Sequence, residues 1–424
     1  MHTKLLFLYC ILPLVFIQNS FSQPIEEKIH KKSIHTVQLK LKGDSLAPPI
    51  MQLNSGQKIK LSFDDLNTGY SSYSYKIIHC DASWNPSGLY ESEYLKNQFS
   101  STINNSKNSF NTLTPYTHYW LTIPNEDIQP KISGNYTLLV YEGYNEQDTV
   151  LTAHFRINEG KISIDPSIER INRMSPDKPN QKLNINLHTG NTRINNPYHN
   201  LKIIIQQNGH RERSVTNTNP SGIKGNKITY FNLPELNFKG GNEFHRFNTK
   251  TKKFTGQKIE TIDFFRNHLH FKLKKDNVRH FKGYKHERDL NGRYLIDKER
   301  STEPEVEGDY VYVYFTLKNP NPLMNGTIYV TGEFCNWKCL PENAMEYNYQ
   351  EKSYENRLYL KQGYYDYKYV LKDQSGIKPF FISGNYYQTE NNYTILVYYT
   401  DYNIDYDRLI GFTVFNSMND QYND

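Results

Sequence analysis

Apolar and polar residues alternate with period two in several runs of the chain, the pattern of strands with one face buried. In 34–41, Val37, Leu39 and Leu41 face one way and Gln38, Lys40 and Lys42 the other. Ile59, Leu61 and Phe63 repeat the pattern, and a strand over 73–80 follows the turn at Gly69. The runs 116–123, 134–141 and 149–157 complete a first set, with a short helix predicted over 92–99. A second set begins with Leu183, Ile185 and Leu187 and continues through 201–207, 228–231, 261–265 and 268–273. Asn208-Gly209 and Asn291-Gly292 read as hairpin turns, and Gly240-Gly241 as a bulge or tight turn. A third set covers 310–317, 326–332, 354–360, 364–371 and 393–399. Tyr365, Tyr367 and Tyr369 share one strand face there, opposite Asp366, Lys368 and Val370, and are expected to pack across strands. Short strands divided by Gly, Pro, Asn and Ser clusters predict an all-β chain of tandem immunoglobulin-like β-sandwich domains.

Length and breaks in the pattern divide the chain. A sequence of 424 residues exceeds one ordinary domain. Residues 1–22 read as a secretory signal peptide, with Lys4 ahead of a short apolar run and Ser20 and Ser22 before Gln23. That run is too short to span a bilayer, and no second long apolar stretch follows, so the exported chain is expected to have no membrane span. The expected domains are 23–160, 161–302 and 303–424, with an acidic linker at 303–309. Tyr reaches 35 residues, a composition that favours sheets and aromatic cores over disorder. Residues 239–300 hold 17 Lys and Arg against 8 Asp and Glu, a net +9, whereas 301–424 hold 9 against 17, a net −8. A basic middle domain and an acidic C-terminal domain are therefore expected, with domain docking or a polar partner as the consequence. Nucleic acid is not an expected partner of an exported chain without a recognised nucleic-acid motif.

Candidate chemistry concentrates at His79-Cys80-Asp81. Adjacent strand residues point to opposite faces, so Cys80 cannot share a site with both neighbours. His79 and Asp81 share a face, and His118 on a returning strand would make a two-His, one-carboxylate metal set. The plainer expectation is a locally bonded His79, an Asp81 that caps the turn before Trp84, and a buried Cys80. Asn125-Glu126-Asp127 after Pro124 offers paired carboxylates, but adjacent acids on a turn are usually solvated. No G-x-S-x-G, P-loop or H-E-x-x-H pattern occurs. No catalytic, metal or cofactor residue is assigned, and an enzyme is not expected. Cys335 and Cys339 are spaced to close a small local disulfide loop.

Two resemblances add to this. Gly332-Glu333-Phe334-Cys335-Asn336-Trp337 resembles the G-x-F-x-x-W signature of early-set immunoglobulin-like modules attached to starch- and glycogen-active proteins. It implies a fold for the last domain, and a carbohydrate-binding accessory role as one alternative; a metal-dependent hydrolase centred on His79 is the other. The run His79, Cys80, Asp81, Trp84, Asn85 and Pro86, then Tyr116, His118 and Tyr119, then Pro124, Asn125, Glu126 and Asp127, resembles the Plug family of the Bacteroidota type IX secretion system. The resemblance extends to Gly240-Gly241-Asn242-Glu243-Phe244 and Gln362-Gly363-Tyr364-Tyr365, covering nearly the whole mature chain. It implies a periplasmic β protein that binds the periplasmic opening of a giant outer-membrane translocon barrel and seals it when idle. The signature residues are structural in this reading, and no docking residue is carried over. The departures are Cys335 and Cys339 beside the aromatic signature and the polar run Gly209-His210-Arg211-Glu212-Arg213.

Overall fold

The computed structural model describes residues 23–67, 69–169, 180–210, 213–216, 218–401 and 404–418. The expected signal peptide 1–22, and Arg211 and Glu212 of the polar run, lie outside the described residues. The chain is all-β, built of packed sheets.

The first unit is a sandwich. One sheet orders Lys28–Ile29, Thr149–Asn158, Gly134–Glu142, Tyr73–Cys80 and Ser100–Thr102, with Ile50–Gln52 added parallel to Thr149–Asn158. The facing sheet orders Ile34–Leu41, Ile59–Asp65, Thr117–Ile123 and Asn105–Asn108. Alternation puts Leu61, Phe63, Ile77, Leu138 and Phe155 between them, all buried. Phe63 stacks on Tyr119 and Tyr136 on Phe155, both with ring centroids 5.3 Å apart, each pair worth roughly 0.5–1.5 kcal/mol beyond its area. The helix expected over 92–99 is one turn, Glu91–Tyr94. Leu95 then enters the core in extended backbone, and Leu95–Asn97 pairs with Ile128–Pro130.

The second and third units depart from the expected 161–302 and 303–424 division. In the second unit, one sheet holds Ser163–Glu169, Asn180–His188, Lys227–Tyr230 and Gly222–Lys224. Its partner sheet holds Ser214–Thr216, Leu201–Gln207, Asn392–Tyr399 and Arg408–Asn416. The two C-terminal strands thus complete the middle sandwich, where Tyr393, Ile395 and Val397 share one core with Leu183, Ile185 and Leu187. The third unit is inserted between them. One of its sheets runs Ile259–Phe265, His268–Leu273, Tyr310–Lys318, Ser353–Lys361 and Glu346–Asn348. The other centres on Gly363–Asp373, paired with His245–Asn248, Tyr294–Ile296, Thr327–Thr331 and Gly376–Lys378. The basic and acidic stretches therefore fold together, and Lys275–Glu351 and Arg246–Asp366 pair between them.

The chain passes from the second unit to the third near Gly240 and returns before Asn392, and the two passages lie against each other. Tyr386 N–H donates to Gly241 O at 2.7 Å, and Asn391 Nδ2 donates to Gly240 O at 2.9 Å. A Cβ on Gly240 would meet Tyr386 O at 2.1 Å, and Gly241 has φ +76°. The glycine pair thus serves a crossing of two chain segments. Asn291-Gly292 turns the backbone at φ 53° and 83°, but the next strand, Tyr294–Ile296, pairs with Gly363–Asp373 instead of closing a hairpin.

Candidate functional site

The signature residues build turns and contacts in the first unit. His79 is buried between Tyr94, Tyr136 and Tyr406, with Nε2 3.1 Å from Ser133 O. Burial pushes its imidazole down to about 4, so it is neutral at ordinary pH. Cys80 is fully buried 3.4 Å from the Thr137 hydroxyl, and burial pushes its thiol up to about 11. Asp81 accepts from the Ser83 and Asn85 N–H groups and from Asn85 Nδ2. That cap lets Trp84 take φ 73° and stack on His154 at 3.8 Å, and Pro86 bridges back to Cys80. Asn125 Oδ1 accepts from Asp127 and Ile128 N–H. Asn125 Nδ2 lies 2.6 Å from the Tyr75 hydroxyl. Asp127 accepts from Ser101 at 2.5 Å, and Glu126 is exposed. The two acids therefore belong to a turn that starts at Pro124, not to a facing pair.

His118 does not join His79. Thr117–Ile123 lies in the sheet opposite Tyr73–Cys80, and His118 Nδ1 sits 2.6 Å from Asp64. Among the described residues no group of three or more His, Cys, Asp or Glu is placed to hold a metal ion. Instead His118 belongs to a buried polar junction with the third unit. Asp64 also accepts from the Tyr310 hydroxyl at 2.6 Å and the Lys361 ammonium at 2.5 Å. Glu305 lies 2.6 Å from Lys60 and 3.5 Å from His118 Nε2. Burial opposes a charged His118, but its bonds to Asp64 and Glu305 outweigh burial and raise its pKa. The bond to His118, with Lys60 beside it, holds Glu305 down to about 2. Burial lowers Lys361 while Asp64 holds its ammonium. Tyr116 donates to Gly308 O at 2.7 Å. The expected linker is thus an interface, folded at Pro304–Glu307 into a helical turn. Tyr119 stays inside the first unit, its hydroxyl 3.0 Å from Ser71 O.

The other sheet of the first unit grips the second unit. Ile50 and Ala82 pack with Ile204, Leu396, Tyr398 and Leu409. The Tyr398 hydroxyl donates to Asn135 at 2.6 Å and accepts from Arg156 Nε at 3.1 Å. Asp407 accepts from Ala82 N–H at 2.9 Å and pairs with Lys202 at 3.0 Å. Burial would raise its carboxyl; bonds from Thr400 and Ala82 outweigh that and lower it. Glu159 accepts from Arg408 Nε at 2.8 Å. Where all three units meet, a cavity of about 140 Å³ is lined by Lys40 and Arg156, by Gln206 and Asn208, and by Arg293 and Glu333.

Between the second and third units, Trp337 contacts His210 and Phe244, with ring centroids 5.0 and 5.6 Å apart. The aromatic signature is thereby spent on packing at a junction. Cys335 and Cys339 are not joined by a disulfide: the Cys335 thiol donates to Gly332 O at 3.2 Å, and burial pushes it up to about 11. Tyr365, Tyr367 and Tyr369 are all buried, and the hydroxyls of the last two bond Asp276 at 2.6 and 2.8 Å. Sequence reasoning missed Asp64, Glu305, Lys361, Tyr398 and Asp407 as junction residues. Asp64, Lys361 and Tyr398 carry one local signal, polarity on the strand face away from their unit's own core, whereas Glu305 and Asp407 lie outside the strands and carry none.

The family described as "Type 9 secretion system plug protein 1st domain" matches residues 34–159. A crystal structure of a hypothetical protein from Parabacteroides merdae is 34% identical, with a TM-score of 0.89 over 93% of this chain and 100% of that one. An alkylpurine DNA glycosylase from Pseudomonas fluorescens covers 30% of each chain at 13% identity with a TM-score of 0.17, too little to carry an argument. No curated protein matches.

Proposed function

Because this chain belongs to the family of type 9 secretion system plug proteins, we propose that it is a periplasmic subunit that seals the apparatus. It binds the periplasmic opening of the giant outer-membrane translocon barrel and occupies it when no substrate is exported. A plug works as a bulky body that keeps its shape under load, and it needs no catalytic centre. The observation that carries this reading is the grip on the first unit from both sides. One sheet is bound to the third unit through Asp64, His118, Tyr310 and Lys361. The other is bound to the second through Tyr398 and Asp407. The second and third units close the circuit through Gly240, Gly241 and Asn391. Buried side chains of this kind fix one relative arrangement, because each loses its partners if a unit swings away.

Affinity capture of the tagged protein from detergent-solubilised outer membranes tests the reading. A giant barrel is expected to co-purify in stoichiometric amount. Recovery of the protein without any barrel contradicts it.

A further inference from the structure

Beyond the plug role, the third unit carries a basic cleft of about 500 Å³, within the size range of ligand-holding clefts. Two separate chain segments form its walls. Lys258 and Lys274 stand at the base of the hairpin Ile259–Phe265, His268–Leu273, joined by Lys274 N–H to Lys258 O at 2.8 Å. Lys285 and Arg288 stand on the other segment, and Arg246 lines the cleft between them. Glu287 is the one acidic residue of the lining. Some of this charge is already met: Arg246 by Asp366 at 3.0 Å, Lys258 by Asp276, and Lys285 by Glu287 at 3.2 Å. Lys274 and Arg288 are exposed and have no ion pair among the described residues. Both walls are anchored. Asp289, next to Arg288, accepts from Phe244 N–H at 2.6 Å and Asn291 N–H at 2.7 Å. Asp276 is buried and also holds two tyrosine hydroxyls.

We propose that this cleft is a docking site for an acidic, extended segment of a protein partner, with Lys274 and Arg288 as its main contacts to carboxylates. Arginine and lysine on opposed walls match carboxylates spaced along a chain, and the arginine fork accepts a carboxylate through two bonds. Phe254 and Phe281, 58% and 87% exposed, lie on the chain segments before Lys258 and Lys285 but outside the cleft's lining. The inference does not depend on the plug role, and its test is made on the isolated full chain.

The test is fluorescence anisotropy of dye-labelled hexaglutamate. Saturable binding is expected, weakened about tenfold or more from low to high salt, as charge pairing at an exposed site requires. The double variant Lys274→Glu, Arg288→Glu is expected to lose at least about tenfold in affinity. The charge-matched control Lys224→Glu, Lys227→Glu, on the second unit, is expected to keep it. Should the first variant fold poorly, Lys274→Gln, Arg288→Gln removes the charge without reversing it. Equal loss in the control overturns the proposal, because net charge then explains the binding. Absence of hexaglutamate binding overturns it too, as does binding of anionic phospholipid vesicles or inorganic phosphate in its place.

Discussion

Asp64 follows Ile59, Leu61 and Phe63 along one strand but points away from their core, where a lone strand would leave it in water. It is 1% exposed because the third unit covers that face. Its ion pair with Lys361 is therefore a device of assembly. A buried pair gains little over an apolar substitute, but removing one member strands the other. Asp64→Ala leaves the Lys361 ammonium buried without its carboxylate and is expected to cost about 3–5 kcal/mol in denaturant unfolding. His118 adds a pH dependence of defined sign. Its folded-state pKa lies above its ordinary value, so its contribution is complete below about pH 6.5 and is lost as pH rises through the higher folded value. The stability gap between the native chain and His118→Ala should narrow with rising pH in that window. A gap that widens there contradicts the assignment of a charged His118 to this junction.

Among the elements, strand existence was plain in the sequence and strand partnership was not. Period-two alternation marked Ile34–Leu41 and Asn180–His188, each with a face in a core, and 201–207 and 393–399 were also expected as strands. Alternation says nothing about which sheet a strand joins, so the pairing of Leu201–Gln207 with Asn392–Tyr399 across the inserted unit went unseen. The same limit explains the site. Asp81 as a turn cap was legible because Ser83 and Asn85 are near in sequence, and Cys80 as a buried thiol because a lone cysteine behaves as a small hydrophobe. The Asp64–Lys361 pair was not, because its members are 297 residues apart. Gly240→Ala drives a Cβ into the backbone at Tyr386 and is expected to cost roughly 1–3 kcal/mol or more, seen as a lowered Tm. A chain ended at residue 390 loses two strands of the second unit's sheet. It should expose that core to dye binding and proteolysis, whereas a protease-resistant middle unit contradicts the topology.

Taken whole, the molecule is three sandwiches closed on one another, with the family-matched first unit held between the other two. Much of the charge that looked segregated along the chain is folded into one unit, where part of it is paired and part lines a cleft. Such a body should unfold as one cooperative system, with fluorescence and circular dichroism transitions that coincide in denaturant. Separate transitions for the first unit and the rest would show the junctions to be weak. A body that seals a pore abolishes the pore's ion conductance. The purified translocon barrel is placed in a planar bilayer and this protein is added on the periplasmic side. Saturating protein is expected to close the conductance, and washing it away to restore it. Conductance unchanged at saturation, with the protein shown to be bound, would contradict it.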